Sequence, residues 1–318
     1  MTLKPFEPRT VLCPLDFSDF SEPSLRQAVS FARRSNARVV ALHVIPFAAP
    51  PRMSAGALDA GFLDIPPAFL AERRSDVAKQ LRDVAHICAS EGVDIEIEIR
   101  EGDPWREIEA TARSLPADLV VLGTHGRGGW DRFVMGSTTE KLIRRLPCPV
   151  LTLGPPQLEQ RGPSFRIVLC AVDLTPESTV TLDLSLAFAE KTFAEVVLLH
   201  VVDSGRLEWA PKGPQGFATS FVKATISDAE ERLKQMILSS KSYATVASRI
   251  ATGTAWREIV RAAEEIHADL IVVGAHGQKD MGPAFLGSTA SHVIRHATCP
   301  VLLARPIEHT RVEHGKVA

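Results

Sequence analysis

The amino-acid sequence predicts an α/β protein of two tandem, doubly wound domains. A spaced glycine motif occurs twice, about 151 residues apart: Gly123-Thr124-His125-Gly126, nine residues, Gly136-Ser137-Thr138, then Gly274-Ala275-His276-Gly277, nine residues, Gly287-Ser288-Thr289. In each half apolar strand-like runs alternate with helical periods, which points to a mostly parallel sheet with right-handed crossovers and helices on both faces. A length of 318 residues, 45% of them hydrophobic, allows two domains that each bury a core.

Arg9 to Asp16 is a short apolar run closed by a carboxylate, and Ser18 to Ser24 supplies cap candidates, with Pro23, before a helical period. Leu25, Ala28, Val29 and Ala32 fall at three-and-four spacing and give that helix one apolar stripe. Ala37 to Ile45 is almost continuously apolar, as in a strand buried on both faces of a parallel sheet. Residues 46 to 67 carry several Pro, Gly and Ala without a period and read as a long mobile loop. A second helix is expected from about Ala68 to Ser90, and Asp94 to Arg100 alternates acid and apolar residues, as suits a strand near the sheet edge. Pro104 fits the first turn of a third helix carrying Trp105, Ile108 and Ala112. Asp118 to Leu122 reads as strand four, Ser137 to Leu146 as helix four and Pro149 to Leu153 as strand five.

Gly154 to Pro163 has the composition of a linker, after which the order restarts. Arg166 to Asp173 repeats strand one, and Asp173 precedes His200-Val201 by the same interval as Asp16 precedes His43-Val44. Trp256-Arg257-Glu258-Ile259 repeats Trp105-Arg106-Glu107-Ile108, and Cys299-Pro300-Val301 repeats Cys148-Pro149-Val150. The expected organisation is a first domain over 1–153, a linker over 154–164, a second domain over 165–305 and a disordered tail over 306–318.

Thirty-six basic against thirty-eight acidic residues give a formal charge of −2, so no sequence-wide field favours nucleic acid or an anionic membrane. The first eight residues lack the apolar stretch of a signal peptide, and no run of about eighteen apolar residues is present, so a cytoplasmic location is expected. Cys13, Cys88, Cys148, Cys170 and Cys299 are an odd set without C-x-x-C spacing and read as small buried hydrophobes.

In such sheets ligands bind beyond the carboxyl ends of the strands, where the winding reverses. Pro14, Leu15 and Asp16 end strand one, His43 and Val44 end strand two, and the glycine loop ends strand four. Gly123 and Gly126 allow positive φ or close backbone approach, so N–H groups across Thr124, His125 and Arg127 can point into one concavity. Gly136, Ser137, Thr138 and Thr139 add amide and hydroxyl donors at a helix start. A phosphate chain fits that set, with Asp16 or Asp173 accepting from a ribose hydroxyl or an adenine amino group, and Val44 or Val201 facing the base. The alternative for both aspartates is a cap on the following helix. The second copy offers Gly274, Ala275, His276, Gly277, Gln278, Gly287, Ser288 and Thr289.

With these motifs in place, the chain resembles the universal stress protein family in its tandem two-domain form. Nucleotide-binding members of that family carry G-x-x-G, nine residues, G-[ST], which is intact at Gly123, Gly126, Gly136, Ser137 and at Gly274, Gly277, Gly287, Ser288. The resemblance implies five-stranded parallel sheets in order 3-2-1-4-5, binding of adenine nucleotide (ATP, with Mg or Mn able to accompany it), and pairing of domains through their fifth strands, within one chain or in a homodimer. Arg127 and Arg132 in the first loop, against Gln278, Lys279, Asp280 and Pro283 in the second, and Thr139 against Ala290, lead to the expectation of tighter binding in the first half. P-loop, dinucleotide, H-E-x-x-H and nucleophile-elbow motifs are absent, and no carboxylate pair announces a metal cage. The expected function is a nucleotide-dependent regulator in stress; the alternative is a slow ATPase or phosphotransfer enzyme using His125 or His276.

Overall fold

The computed structural model describes residues 6–46, 67–89, 92–124, 135–154, 165–203, 217–240, 242–275 and 286–306. The first half runs β1 (Thr10–Pro14), α1 (Ser21–Ser35), β2 (Arg38–Pro46), α2 (Pro67–Cys88), β3 (Ile95–Gly102), α3 (Pro104–Ser114), β4 (Leu119–Gly123), α4 (Ser137–Arg145) and β5 (Val150–Leu153). The second repeats it with β6 (Ile167–Val172), α5 (Ser178–Thr192), β7 (Glu195–Asp203), α6 (Phe217–Ser239), β8 (Val246–Gly253), α7 (Ala255–Glu265), β9 (Leu270–Gly274), α8 (Ser288–His296) and β10 (Val301–Ala304). The expected loop after β2, the linker and the tail lie almost wholly outside the described residues.

All ten strands form one sheet in the order β3-β2-β1-β4-β5-β10-β9-β6-β7-β8. Within each half the pairing is parallel and follows 3-2-1-4-5, and the halves join through an antiparallel β5–β10 pair, Val301 opposite Thr152 and Leu303 opposite Val150. The Thr152 hydroxyl donates across that seam to the Val301 carbonyl at 3.2 Å. One carboxylate fastens each first strand at its start: Asp118 accepts from the Arg9 and Thr10 amides at 2.7 and 3.0 Å, and Asp269 from the Arg166 and Ile167 amides at 2.9 and 3.1 Å.

Apolar side chains fill both faces. One core holds Leu25 and Phe31 of α1, Leu81 of α2, Phe188 of α5 and Leu233 of α6. The other holds Ile108 of α3, Leu142 and Ile143 of α4, Ile259 of α7 and Val293 of α8. On the first face Phe31 stacks on Phe188 at 5.3 Å, so α1 and α5 bind the halves together behind the β5–β10 seam. On the second, Arg305 follows β10 and is buried at 8% exposure; its guanidinium donates to the Ile143 and Leu146 carbonyls at the end of α4. A cation there satisfies orphan carbonyls and complements the helix dipole.

Winding reverses between β1, which is followed toward β2 and β3, and β4, which lies on its other side. That reversal leaves a crevice above the carboxyl ends of β1 and β4.

Candidate functional site

A cavity of about 810 Å³ occupies the crevice of the first half. Its floor is the strand ends, with Pro14, Leu15 and Asp16 from β1 and the turn after it, His43 and Val44 from β2, and Gly123 from β4. The start of α4 supplies Gly136, Ser137, Thr138 and Thr139 on one side, and α2 supplies Arg73, Asp76, Val77 and Gln80 on the other. Nine of the residues proposed from sequence in this half therefore line one space: Pro14, Leu15, Asp16, Val44, Gly123, Gly136, Ser137, Thr138 and Thr139. His125, Gly126 and Arg127 lie outside the described residues, as do His276, Gly277 and Gln278 of the second loop.

The glycine loop has a closed neck. The Thr124 amide and hydroxyl both donate to the Leu153 carbonyl, at 2.8 and 3.1 Å, and the Gly136 amide donates back to the Thr124 carbonyl at 2.8 Å. The Thr139 hydroxyl donates to the Gly123 carbonyl at 2.9 Å, a second stitch between β4 and α4. Thr124 is thus buried and bonded to β5, and the Gly136 amide is engaged in the neck while Gly136 itself lines the cavity. Among the described residues, what an anion meets at this side is the start of α4, where the Ser137, Thr138 and Thr139 amides have no intrahelical acceptor and no side chain caps the helix. Gly136 sits at φ −56°, open to any residue, and Gly123 is not among the positive-φ glycines of the described residues.

The turn after β1 is strained and heavily bonded. Asp16 accepts on one carboxylate oxygen from the Ser18 amide at 3.0 Å, the Ser18 hydroxyl at 2.6 Å and the Ser21 hydroxyl at 3.2 Å. Helix α1 has no side-chain N-cap bond, so the carboxylate organises the turn instead of capping the helix. Phe17 takes φ 60°, an uncommon angle for a side-chain-bearing residue, and its ring stacks on His43 at 4.5 Å. His43 is buried, with Nδ1 2.6 Å from the Leu15 carbonyl; a proton on that nitrogen makes the bond.

The second half repeats this frame. Asp173 accepts from the Thr175 amide and hydroxyl at 3.1 and 2.6 Å and from the Ser178 hydroxyl at 2.6 Å, Leu174 takes φ 60°, and His200 Nδ1 lies 2.9 Å from the Val172 carbonyl. Ala275 donates to the Ala304 carbonyl and Gly287 to the Ala275 carbonyl, both at 2.9 Å, so the neck of the second loop closes the same way. Val201 lies toward the end of β7, Gly274 ends β9, and Ser288 and Thr289 open α8. Ala290 stands where Thr139 stitches the first site and carries no hydroxyl to do so.

Two halves of one design, each with the same strand order and the same necked glycine loop, agree with the result of comparison. The sequence pattern of the universal stress protein family matches residues 7–153 and again 164–305. The chain belongs to the universal stress protein family. A universal stress protein of Methanocaldococcus jannaschii is 31% identical over 154 residues, covering 48% of this chain and 85% of that one. One from Mycolicibacterium smegmatis is 28% identical over 309 residues, covering 93% and 97%. The crystal structure of a universal stress protein from Archaeoglobus fulgidus superimposes with a TM-score of 0.66 at 22% identity over 93% of this chain and 98% of that one, a likeness of fold.

Within this family member the sequence reading missed the α2 side of the cavity, because the 20 residues between β2 and α2 carry no period from which the helix face could be phased. It also missed Gly102 and Gly253. These end β3 and β8 at φ 151° and 146°, and a Cβ at either would come within 2.9 Å of the Glu107 or Glu258 side chain. Their signal was present: they recur at the same 151-residue interval as the glycine loops, three residues before each Trp-Arg-Glu. Among the described residues no helix is long and apolar enough to cross a membrane, and no group of three or more His, Cys, Asp or Glu could hold a metal ion.

Proposed function

We propose that the first half binds an adenine nucleotide, with ATP the expected form, and that occupancy of this site governs what the protein does. The observation that carries the reading is the convergence on one cavity of a carboxylate, Asp16, and the uncapped start of α4 with its Ser137 and Thr138 hydroxyls. A carboxylate and an uncapped helix start lining one cavity suit a ligand that is polar at one end and anionic at the other. An anion at a helix start gains about 0.3–1 kcal/mol when exposed and up to about 2 kcal/mol when partly buried. Three amides and two hydroxyls acting together are therefore what a phosphate chain requires.

The site is read as one that holds its ligand. His43, the imidazole among the described residues that line the cavity, has Nδ1 engaged by the Leu15 carbonyl and one ring face covered by Phe17, which suits it to supporting the turn. A Mg or Mn ion accompanying a triphosphate would take its ligands mainly from phosphate oxygens and the α4 hydroxyls.

The test is mass spectrometry of the small molecules released on denaturing the purified protein, with their number per chain. An unchanged adenine nucleotide is expected. No bound nucleotide, together with no thermal shift in millimolar ATP, overturns the reading; steady ATP turnover would move it to the enzymatic alternative.

A further inference from the structure

The two crevices differ at the end opposite the glycine loop. Helices α2 and α6 correspond through Ser75-Asp76 and Ser227-Asp228, and their buried positions agree: Val77 with Ala229, Leu81 with Leu233. Gln80 and Arg232 are therefore equivalent, each one residue before the buried leucine. Gln80 lines the first cavity. Arg232 instead crosses from α6 to the turn after β6, where Nη2 donates to the Leu174 carbonyl at 2.7 Å while Nη1 stays 3.9 Å from Asp228. Leu174 is the left-handed residue directly after Asp173 and is itself buried. The guanidinium thus ties α6 to the strand end beside the second aspartate.

We propose that Arg232 is a latch that closes the second crevice at its aspartate end, so that the chain holds one nucleotide, in the first half, and takes a second only when this arginine is displaced. The inference rests on the nucleotide reading above and adds a residue and a stoichiometry to it. A base entering beside Asp173 would have to pass the span from α6 to Leu174, and displacing the guanidinium would forfeit a charge-assisted bond to a carbonyl. The arginine side chain remains 53% exposed, so the latch can swing into solvent without leaving a buried charge behind.

Equilibrium dialysis of the full-length chain against ATP tests this. Wild type should bind one equivalent, and Arg232→Gln, which installs the residue of the first half, should bind two, the added equivalent disappearing in Arg232→Gln combined with Gly287→Asp. The reciprocal Gln80→Arg should weaken the first site at least tenfold. Two equivalent sites in wild type, or one site in both wild type and Arg232→Gln, overturns the latch while leaving nucleotide binding intact. Zero equivalents in every protein overturns the nucleotide reading and the latch with it.

Discussion

At the scale of single residues, the neck bond from Gly136 to Thr124 sets what a substitution there can do. Because Gly136 sits at φ −56°, an aspartate fits the backbone and keeps the amide bond, but it adds a negative charge beside the α4 amides. Gly136→Asp should unfold at the wild-type temperature within about 2 °C and lose roughly 100-fold in ATP affinity, about 2.7 kcal/mol. Titration calorimetry paired with a melting curve checks both halves of that statement. Asp16 is coupled to the stability of its turn as well as to the proposed ligand, since three donors converge on one of its oxygens. Asp16→Ala should cost about 1–2 kcal/mol in urea unfolding and narrow the preference for adenine over guanine. Full retention of that preference would assign the carboxylate to the turn alone. Neither coupling was legible in the sequence, where Asp16 showed its chemistry and its recurrence as Asp173 but not its partners. The neck was invisible for a simpler reason: backbone bonds leave no residue signature.

At the scale of elements, most of the architecture was legible because each strand and helix carries its own signals: apolar runs for β1, β2 and β4, alternation for β3, and Pro104 at the start of α3. Boundaries moved by a residue or two, as where β3 runs on to Gly102 and α2 stops at Cys88. Helices α1 and α5 end alike, each with a left-handed residue after the last turn, Asn36 at φ 53° and Phe193 at φ 55°. Asparagine tolerates that conformation; phenylalanine does not, and Phe193 is 97% exposed, so burial gives it little in return. Phe193→Asn should stabilise the second half by about 0.5–1 kcal/mol, read as a higher urea midpoint with unchanged slope. A lower midpoint would mean that the exposed ring does something for the fold.

At the scale of the whole molecule, the described residues join the halves through a sheet seam, the Phe31–Phe188 contact, the buried Arg305 cation and an ion pair between Arg295 and Glu140 at 4.0 Å. Pairing through the fifth strands came from family resemblance, and Arg305 from neither resemblance nor pattern, because its acceptors lie 159 and 162 residues earlier. Arg305→Ala should cost about 2 kcal/mol for hydrogen bonds from a charged donor and split a single calorimetric transition into two as the halves uncouple; an unsplit, unshifted transition would show the seam to be sufficient. All five cysteines are buried, and burial pushes the thiols of Cys148 and Cys170 up to about 12 and that of Cys88 to about 11. Ellman's reagent at pH 8 should therefore find no reactive thiol in the native chain and five after denaturation; rapid labelling before unfolding would mark a local opening.

The antiparallel junction of β5 with β10 has a further consequence. Separate single-domain chains meeting through such a seam would associate according to their abundance, and dilution would part them. Here covalent continuity makes the encounter intramolecular, with an effective concentration that a short connection raises to about the millimolar range. Assembly of the pair is thereby insulated from expression level, and a change in one copy is no longer imposed on the other. Gln80 and Arg232, or Thr139 and Ala290, show that freedom in use: the two copies keep a common frame while the residues around their crevices diverge.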